Sequence, residues 1–397
     1  MDFDADVIIS GAGPAGTMAA YQLQRSGLRA LIIEKSSFPR YKVCGAGLTH
    51  KILSILPFDI SPVIHTTIRS FRFSSHGSDV FTRTSELPLM YCTMRYELDS
   101  FLLEKAVEAG ARVLTSEKVT EVNQDEAGVT VKTARGQYRA AFLIGADGAS
   151  SLVARTFGLN KHIEWGMAWE AEVKSTPDMI RKYEETVFLD WGTFPGGYAW
   201  IFPKKDHFSI GTGGPAHMAR RMPEYYNDFV ASTGIPVIET ISNRSHPLPV
   251  RSKKSRFHSG RALVAGDAAG LTDALTGEGI FWAVKSGIIA AEVIKKRMED
   301  EIPDLAQYSG RINSEIMPEI LEARNICALF NSAPLKIHHL VRDSGRVWRA
   351  FGKVLRGERS FTDVPRTFGI WQFLWKPVCA LASVIRQIKE KLYMRNA

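Results

Sequence analysis

Ala5-Asp6-Val7-Ile8-Ile9-Ser10-Gly11-Ala12-Gly13-Pro14-Ala15-Gly16 lies near the start of the chain, and Ala30-Leu31-Ile32-Ile33-Glu34 follows one helix-length later. The apolar run at residues 5 to 9 reads as a buried strand, Thr17 to Ser26 as a helix, and Gly27 as its left-handed stop. Gly11, Gly13 and Gly16 occupy the three fixed positions of GxGxxG, with Ala15 beside the last. The first glycine turns the chain, the second admits a pyrophosphate close to the backbone, and the third lets helix and strand pack. Glu34 ends the second strand, where a carboxylate accepts hydrogen bonds from an adenosine ribose. The hexapeptide alone is a weak sign. Set between strand and helix, with an acid closing the next strand, it predicts a dinucleotide-binding unit for an unphosphorylated ribose.

Outward from that unit, residues 68 to 92 alternate like strands, Glu97 to Ala109 reads as an amphipathic helix, and strands recur from 111 to 144. From 163 to 250, aromatic-rich strands broken by Gly and Pro predict an antiparallel sheet. The first pattern returns at Arg261-Ala-Leu-Val-Ala265, then Gly266-Asp267 and a long helix from Ile280 to Met298. The expected class is α/β plus α+β, with a Rossmann-type dinucleotide domain interleaved with an antiparallel-sheet substrate domain. The first domain is assigned 1–67, 93–160 and 251–302, the second 68–92 and 161–250. Residues 303–397 form a C-terminal helical region.

With 45% hydrophobic and 23% charged residues, the chain is expected to fold throughout its 397 residues. Cys44, Cys92, Cys327 and Cys379 lack the spacing of a metal knuckle or a disulfide framework, so no metal is expected; the last three read as small buried hydrophobes. The net charge of +8 comes without any nucleic-acid motif, so nucleic acid is not an expected partner. The start Met1-Asp2-Phe3-Asp4 lacks the basic and apolar regions of a signal peptide, and a cytoplasmic location is expected.

Two further segments distinguish FAD from NAD. Gly145-Ala-Asp147-Gly148 and Gly266-Asp267-Ala-Ala-Gly270 both resemble the p-hydroxybenzoate hydroxylase-like flavoprotein superfamily. That resemblance implies FAD, with Asp267 at a ribityl hydroxyl, the backbone of Gly279 and Ile280 facing the flavin ring at a helix start, and Arg95 approaching the cofactor. A helix N-terminus favours nearby negative charge by roughly 0.3–1 kcal/mol, which suits a reduced flavin. Lys35, Asp147, Gly148 and Val119 complete the expected cofactor contacts.

Pro39-Arg-Tyr-Lys-Val-Cys44-Gly45-Ala-Gly47-Leu48 and Pro195-Gly-Gly-Tyr198-Ala-Trp200-Ile-Phe202-Pro203 carry a narrower likeness. The second segment fits PxxYxWxFP at every fixed position, and Gly211-Thr-Gly213 supplies a following GxG. The chain thus resembles the geranylgeranyl reductase family over about 300 residues, and less so after 303. The resemblance places the Cys44 loop, with Gly45 and Gly47, beside the isoalloxazine ring. There Cys44 either shapes the active site chemically or simply packs.

Two-residue periodicity puts Tyr198, Trp200 and Phe202 on one strand face, an apolar wall for a flat, branched alkene. Burying a five-carbon prenyl unit contributes about 4 kcal/mol before ordering costs, at about 0.8 per CH2. The expected activity is reduction of prenyl C=C bonds on an archaeal-type ether lipid, a prenylquinone or a geranylgeranyl ester. A prenylated lipid or prenyl diphosphate is the expected substrate, and NAD(P)H or ferredoxin the electron donor. An aromatic monooxygenase would use the same FAD segments. A flavin halogenase has Trp first in its own pattern, which counts against it. A non-enzymatic prenyl-binding protein would have no use for Asp267, Arg95 and Gly279-Ile280. Phe368 to Ile385 is apolar but interrupted by Lys376-Pro377, then followed by Arg386, Lys389, Lys391 and Arg395. It is a poor membrane span, and reads equally as an interfacial helix giving peripheral membrane contact or as a helix docked on its own protein.

Overall fold

Val7, Ile8 and Ile9 are wholly buried because β1 (Ala5–Ser10) runs through the middle of a largely parallel sheet. Its neighbours are β2 (Ala30–Ile33) and β11 (Gln137–Gly145), both parallel to it. β8 (Arg112–Leu114) extends the β2 side; β18 (Ala262–Val264) and the antiparallel edge strand β17 (His258–Ser259) extend the other. A hairpin of β9 (Val119–Gln124) and β10 (Val129–Thr133) pairs with the first half of β11. Strands buried on both faces are continuous apolar runs, as a parallel sheet between helices requires. Helices α1 (Pro14–Arg25) and α6 (Ile280–Met298) meet closely: a Cβ at Gly287 would stand 2.2 Å from the Ala15 carbonyl oxygen. The computed structural model describes residues 3–366 and 373–396.

The second sheet has the order β16-β12-β15-β14-β13-β5-β6. Its strands are β5 (Ser70–Ser75), β6 (Ser78–Thr84), β12 (Ile163–Lys174), β13 (Thr186–Trp191), β14 (Tyr198–Pro203), β15 (Phe208–Pro215) and β16 (Glu239–Arg251). It is not wholly antiparallel as expected. β13 lies parallel to β5, whereas the other neighbouring pairs of this sheet are antiparallel. One face packs Phe188, Ile201 and Ile210 against Tyr225 and Phe229 of α5 (Met222–Thr233). By the period of two, the other face carries Tyr198, Trp200 and Phe202. β3 (Gly47–Thr49), β4 (Thr66–Ile68) and β7 (Met90–Cys92) form a separate small sheet, so the alternation read over 68–92 is divided between two sheets. Helix α2 starts at Arg95, two residues before the expected start (Arg95–Glu108). Short helices α3 (Leu152–Thr156) and α4 (Pro177–Tyr183) fill connections.

After residue 303 the chain is helical: α7 (Ala306–Arg311), α8 (Met317–Ser332), α9 (Pro334–Asp343), α10 (Gly345–Leu355) and α11 (Trp375–Asn396). Lys376-Pro377 does not interrupt a helix. Pro377 sits in the first turn of α11, where its missing N–H costs no intrahelical bond. Residues 368–372 of the apolar segment lie outside the described residues. α11 docks beside α8, where Lys389 Nζ donates to the Ser332 carbonyl at 2.7 Å. Among the described residues, no helix is long and apolar enough to cross a membrane.

Candidate functional site

One cavity of about 1750 Å³ opens between the two sheets, the Cys44 loop and the C-terminal helices. It brings together every residue expected to contact cofactor or substrate except Gly16: Gly11, Gly13, Ala15, Glu34, Lys35, Cys44, Gly45, Gly47, Arg95, Val119, Asp147, Gly148, Tyr198, Trp200, Phe202, Asp267, Gly279 and Ile280 all line it. Gly16 turns inward, where a Cβ would lie 2.0 Å from the Gly11 carbonyl oxygen, so its place is fixed by helix–strand packing.

At one end the backbone is bare. Gly11 has φ +102°, and a Cβ there would stand 2.4 Å from the Ala146 carbonyl oxygen, whereas the nearest atom to a Cβ on Gly13 would be Arg40 Nη2 at 3.9 Å. Gly13 therefore leaves room on the cavity side for a pyrophosphate. Glu34, 5% exposed, accepts from Ala12 N–H at 2.8 Å and Ser36 N–H at 2.9 Å. Two hydrogen bonds leave a carboxylate with acceptor capacity for ribose hydroxyls. Arg40 Nε, buried and without a hydrogen-bond partner, forms a long ion pair with Glu34 at 4.0 Å. Asp267 and the start of α6 at Gly279 complete this end, with Asp267 Oδ1 3.4 Å from where a Gly279 Cβ would be. The cradle fits an extended dinucleotide. Asp147 contributes differently: its carboxylate accepts from Leu152 N–H at 2.7 Å and pairs with Ser151, holding the loop while the backbone around it faces the cavity.

Arg95, at the start of α2, is buried. It donates from Nε and Nη2 to both Asp99 oxygens at 2.8 Å, and Arg40 Nη2 reaches the same carboxylate at 3.0 Å. Burial disfavours the Arg95 charge, but Asp99 and the Cys44 side chain more than offset this and hold it protonated.

The other end is aromatic. Tyr198, Trp200 and Phe202 follow one another at 5.6 and 6.2 Å between ring centroids. Trp200 lies across β15: a Cβ on Gly211 would stand 2.3 Å from its Cζ2, and one on Gly213 3.3 Å from its Cζ3. The GxG after the aromatic motif is thus the space the indole occupies. The Cys44 loop presses on the same wall, since a Cβ on Gly45 would fall 2.5 Å from Phe202. Tyr198 Oη donates to the Thr276 carbonyl at 3.0 Å, tying the wall to the turn before α6. Phe71, Phe73, Phe351 and Leu355 continue the apolar lining towards α10. Cys92, Cys327 and Cys379 are buried; Cys327 also reaches the cavity.

Several charged residues at this site gain their partners only through the fold. Lys204, 1% exposed, donates to the carbonyls of Gly45 at 2.6 Å and Thr93 at 2.8 Å and so fixes the Cys44 loop. Lys42 Nζ lies 2.8 Å from His246 Nε2. Burial, then the Lys42 charge, lowers the basicity of His246, and burial lowers that of Lys42. Glu170 and Glu172 project from β12 toward the Cys44 loop, and Cys44 N–H donates to Glu170 Oε1 at 3.2 Å. Charge in a strand ordinarily signals a solvated face, and only the register of β12 between β15 and β16 turns these side chains inward.

Residues 4–296 match the model of the FAD binding domain family. An uncharacterized protein of Methanosarcina barkeri is 35% identical over 90% of this chain and 93% of its own. The geranylgeranyl diphosphate reductase of Nicotiana tabacum chloroplasts is 31% identical over 79% of this chain and 72% of its own. The digeranylgeranylglycerophospholipid reductase of Methanocaldococcus jannaschii is 30% identical over 74% and 78%. Among solved structures, a geranylgeranyl bacteriochlorophyll reductase-like protein of Thermoplasma acidophilum superposes with TM-score 0.75 at 24% identity, covering 86% of this chain and 92% of its own. The flavin-dependent brominase Bmp2, as a triple mutant, superposes at TM-score 0.69 with 21% identity, covering 89% and 95%. At those identities the two structures speak for the fold alone.

Proposed function

The chain belongs to the geranylgeranyl reductase family of FAD-dependent oxidoreductases, and from that premise we propose that it hydrogenates C=C bonds of a geranylgeranyl or longer prenyl chain carried on a lipid. The observation that carries this reading is the Tyr198-Trp200-Phe202 wall, which joins the Cys44 loop to an apolar chamber closed by the C-terminal helices. A cavity lined this way suits a flexible hydrocarbon and holds it by burial, about 0.8 kcal/mol per CH2.

Bound FAD supplies hydride for one alkene carbon. Gly11, Gly13, Glu34, Asp267 and the α6 N-terminus would hold that cofactor. Trp200 and Phe202 align the alkene and exclude water, which strengthens electrostatic interactions in the site. Lys204 keeps the Cys44 loop against the wall. The electrons come from NAD(P)H or ferredoxin. Peripheral contact with a membrane, through the exposed apolar face of α11, would bring the lipid to the cavity mouth, where Trp375 and Val378 already stand.

Anaerobic protein reduced with dithionite, then mixed with a geranylgeranyl glycerophospholipid, a menaquinone or a geranylgeranyl ester, tests this. Flavin reoxidation with a mass gain of about 2 Da per double bond is expected, as hydride plus proton requires. A flavin that stays reduced until oxygen enters, then turns over with an aromatic compound alone, would make the chain a monooxygenase.

A further inference from the structure

Saturating a C=C bond takes a hydride and a proton, and the cofactor accounts for the hydride. The register Arg244–Glu170–Gly211–Trp200 runs straight across the second sheet, so Glu170 stands on the face that carries Trp200. Glu170 is 1% exposed and lines the cavity; Oε1 accepts from Cys44 N–H, and Oε2 is buried without a hydrogen-bond partner. An ionised carboxylate with an orphaned buried oxygen is costly, whereas a neutral carboxyl needs one acceptor for its O–H. Facing it are Glu172, Lys204, Tyr41, Arg244 and the Cys44 loop. Burial first, and the Glu172 charge second, push its carboxyl up to about 7, past the opposing pull of Lys204.

A line of protonatable groups leads from there to solvent. Ser209, fully buried, sits opposite Glu172 in the strand register and reaches Glu170, where its hydroxyl opposes the upward shift. His207 Nε2 lies 3.1 Å from Glu172 Oε2, and His207 Nδ1 lies 2.7 Å from Asp206 Oδ1, whose side chain is 78% exposed. Although burial opposes it, contact with Glu172 and Asp206 raises the basicity of His207 above that of a free imidazole.

We infer that Glu170 is the acid that protonates the alkene, and that Asp206, His207 and Glu172 return a proton to it from solvent. The inference rests on the prenyl-reductase reading. As the Glu170 O–H bond breaks, its proton forms a C–H bond at one alkene carbon, while hydride from the reduced cofactor forms the C–H bond at the other. The π bond is lost, the substrate gains two hydrogens and two electrons, and Glu170 is left as a carboxylate until the relay refills it.

Infrared titration of the flavin-loaded protein tests the acid without substrate. A protonated-carboxyl stretch is expected that fades as pH rises through neutrality and is missing in Glu170→Gln. The same variant should keep its flavin spectrum and dithionite reduction, but its pre-reduced form should hydrogenate the prenyl lipid at least about 10²-fold more slowly, the usual minimum for losing a general acid. His207→Gln should slow steady turnover more than the first turnover. A wild-type protein without the band, or a Glu170→Gln variant that hydrogenates at the wild-type rate, would overturn the inference. A titrating Glu170 band in a wild-type protein that reduces no prenyl compound would overturn the prenyl reading while still supporting a neutral acid at the cavity.

Discussion

Gly211 carries no side chain because Trp200 lies across its strand: a Cβ there would stand 2.3 Å from the indole Cζ2 and 2.7 Å from the Trp169 carbonyl oxygen. Gly211→Ala should therefore displace the indole at a cost of about 1–3 kcal/mol, as overpacking of a filled site does. The expected outcome is a lowered Tm, retained flavin absorbance and lost hydrogenation, read by thermal melting and single-turnover assay; full activity would contradict the role given to the wall. Glu170 makes a second prediction. Its carboxyl is raised from 4.5 to about 7, so the native state binds its proton more tightly than the unfolded chain does. The stabilisation is complete below pH 4.5 and fades as pH rises through about 7. Denaturant melts at a series of pH values should show wild type losing stability relative to Glu170→Gln across that window; a constant difference would mean that Glu170 is ionised throughout. Trp200 and its glycines could be read from sequence because the motif is local and its spacing is that of a strand. Glu170, and a Lys42–His246 pair 204 residues apart, could not, because only the register of β12 and the path of the Cys44 loop bring them to the cavity.

Helix α11 has two apolar sides, and one of them is satisfied. Cys379 and Ala382 are buried on the protein side, with Lys389 anchored on α8, while Val378, Leu381, Val384, Ile388 and Leu392 recur every three or four residues and are all about half exposed. That spacing is a single helical stripe, and a stripe of this size facing outwards beside a cavity for lipid asks for an apolar surface. Replacing Leu381, Val384 and Ile388 together by Ser should abolish sedimentation with anionic liposomes while leaving flavin content and Tm nearly unchanged; undiminished sedimentation would remove α11 from membrane contact. Sequence left the docked and interfacial readings level, since composition reports how much of a helix is apolar but not which side its own protein covers. The glycine-rich start of α1 was legible for the opposite reason: its constraints come from backbone approach within one short segment. Its partner constraint at Gly287 was silent, because the helix that needs it is closed only by tertiary packing. Gly287→Ala would push the Ala15 backbone, and the expected result is weakened FAD retention on gel filtration.

Across the whole molecule, neither sheet is a continuous piece of chain. The first takes strands from residues 5–33, 112–145 and 258–264, the second from 70–84 and 163–251, and buried cations bind the crossings. Arg251, wholly buried at the end of β16, donates to the carbonyls of Ala269, Lys161 and Leu159 at 2.7, 2.8 and 2.9 Å, while Lys204, just after β14, holds Gly45 of the Cys44 loop and Thr93 beside β7. The alternation of patterns along the sequence announced the interleaving; these cations were not legible, since a lone Arg or Lys beside a strand ordinarily points to solvent. Breaking such a crossing leaves buried carbonyls unpaired, at about 1–3 kcal/mol each. So intimate a pair of layers should unfold together, and a ligand bound to one should protect both. FAD at a hundred times its Kd adds about 2.7 kcal/mol to native stability. Trp165, Trp169, Trp191 and Trp200 all report on the second sheet, and the flavin reports on the first. Heating the holoprotein should give one midpoint by tryptophan and flavin fluorescence, and adding FAD should raise both equally. Arg251→Met should lower that common midpoint or split it in two. Were the tryptophan transition of the wild-type protein indifferent to FAD, the two sheets would be separate folding units, and the cavity between them a surface of contact rather than a shared core.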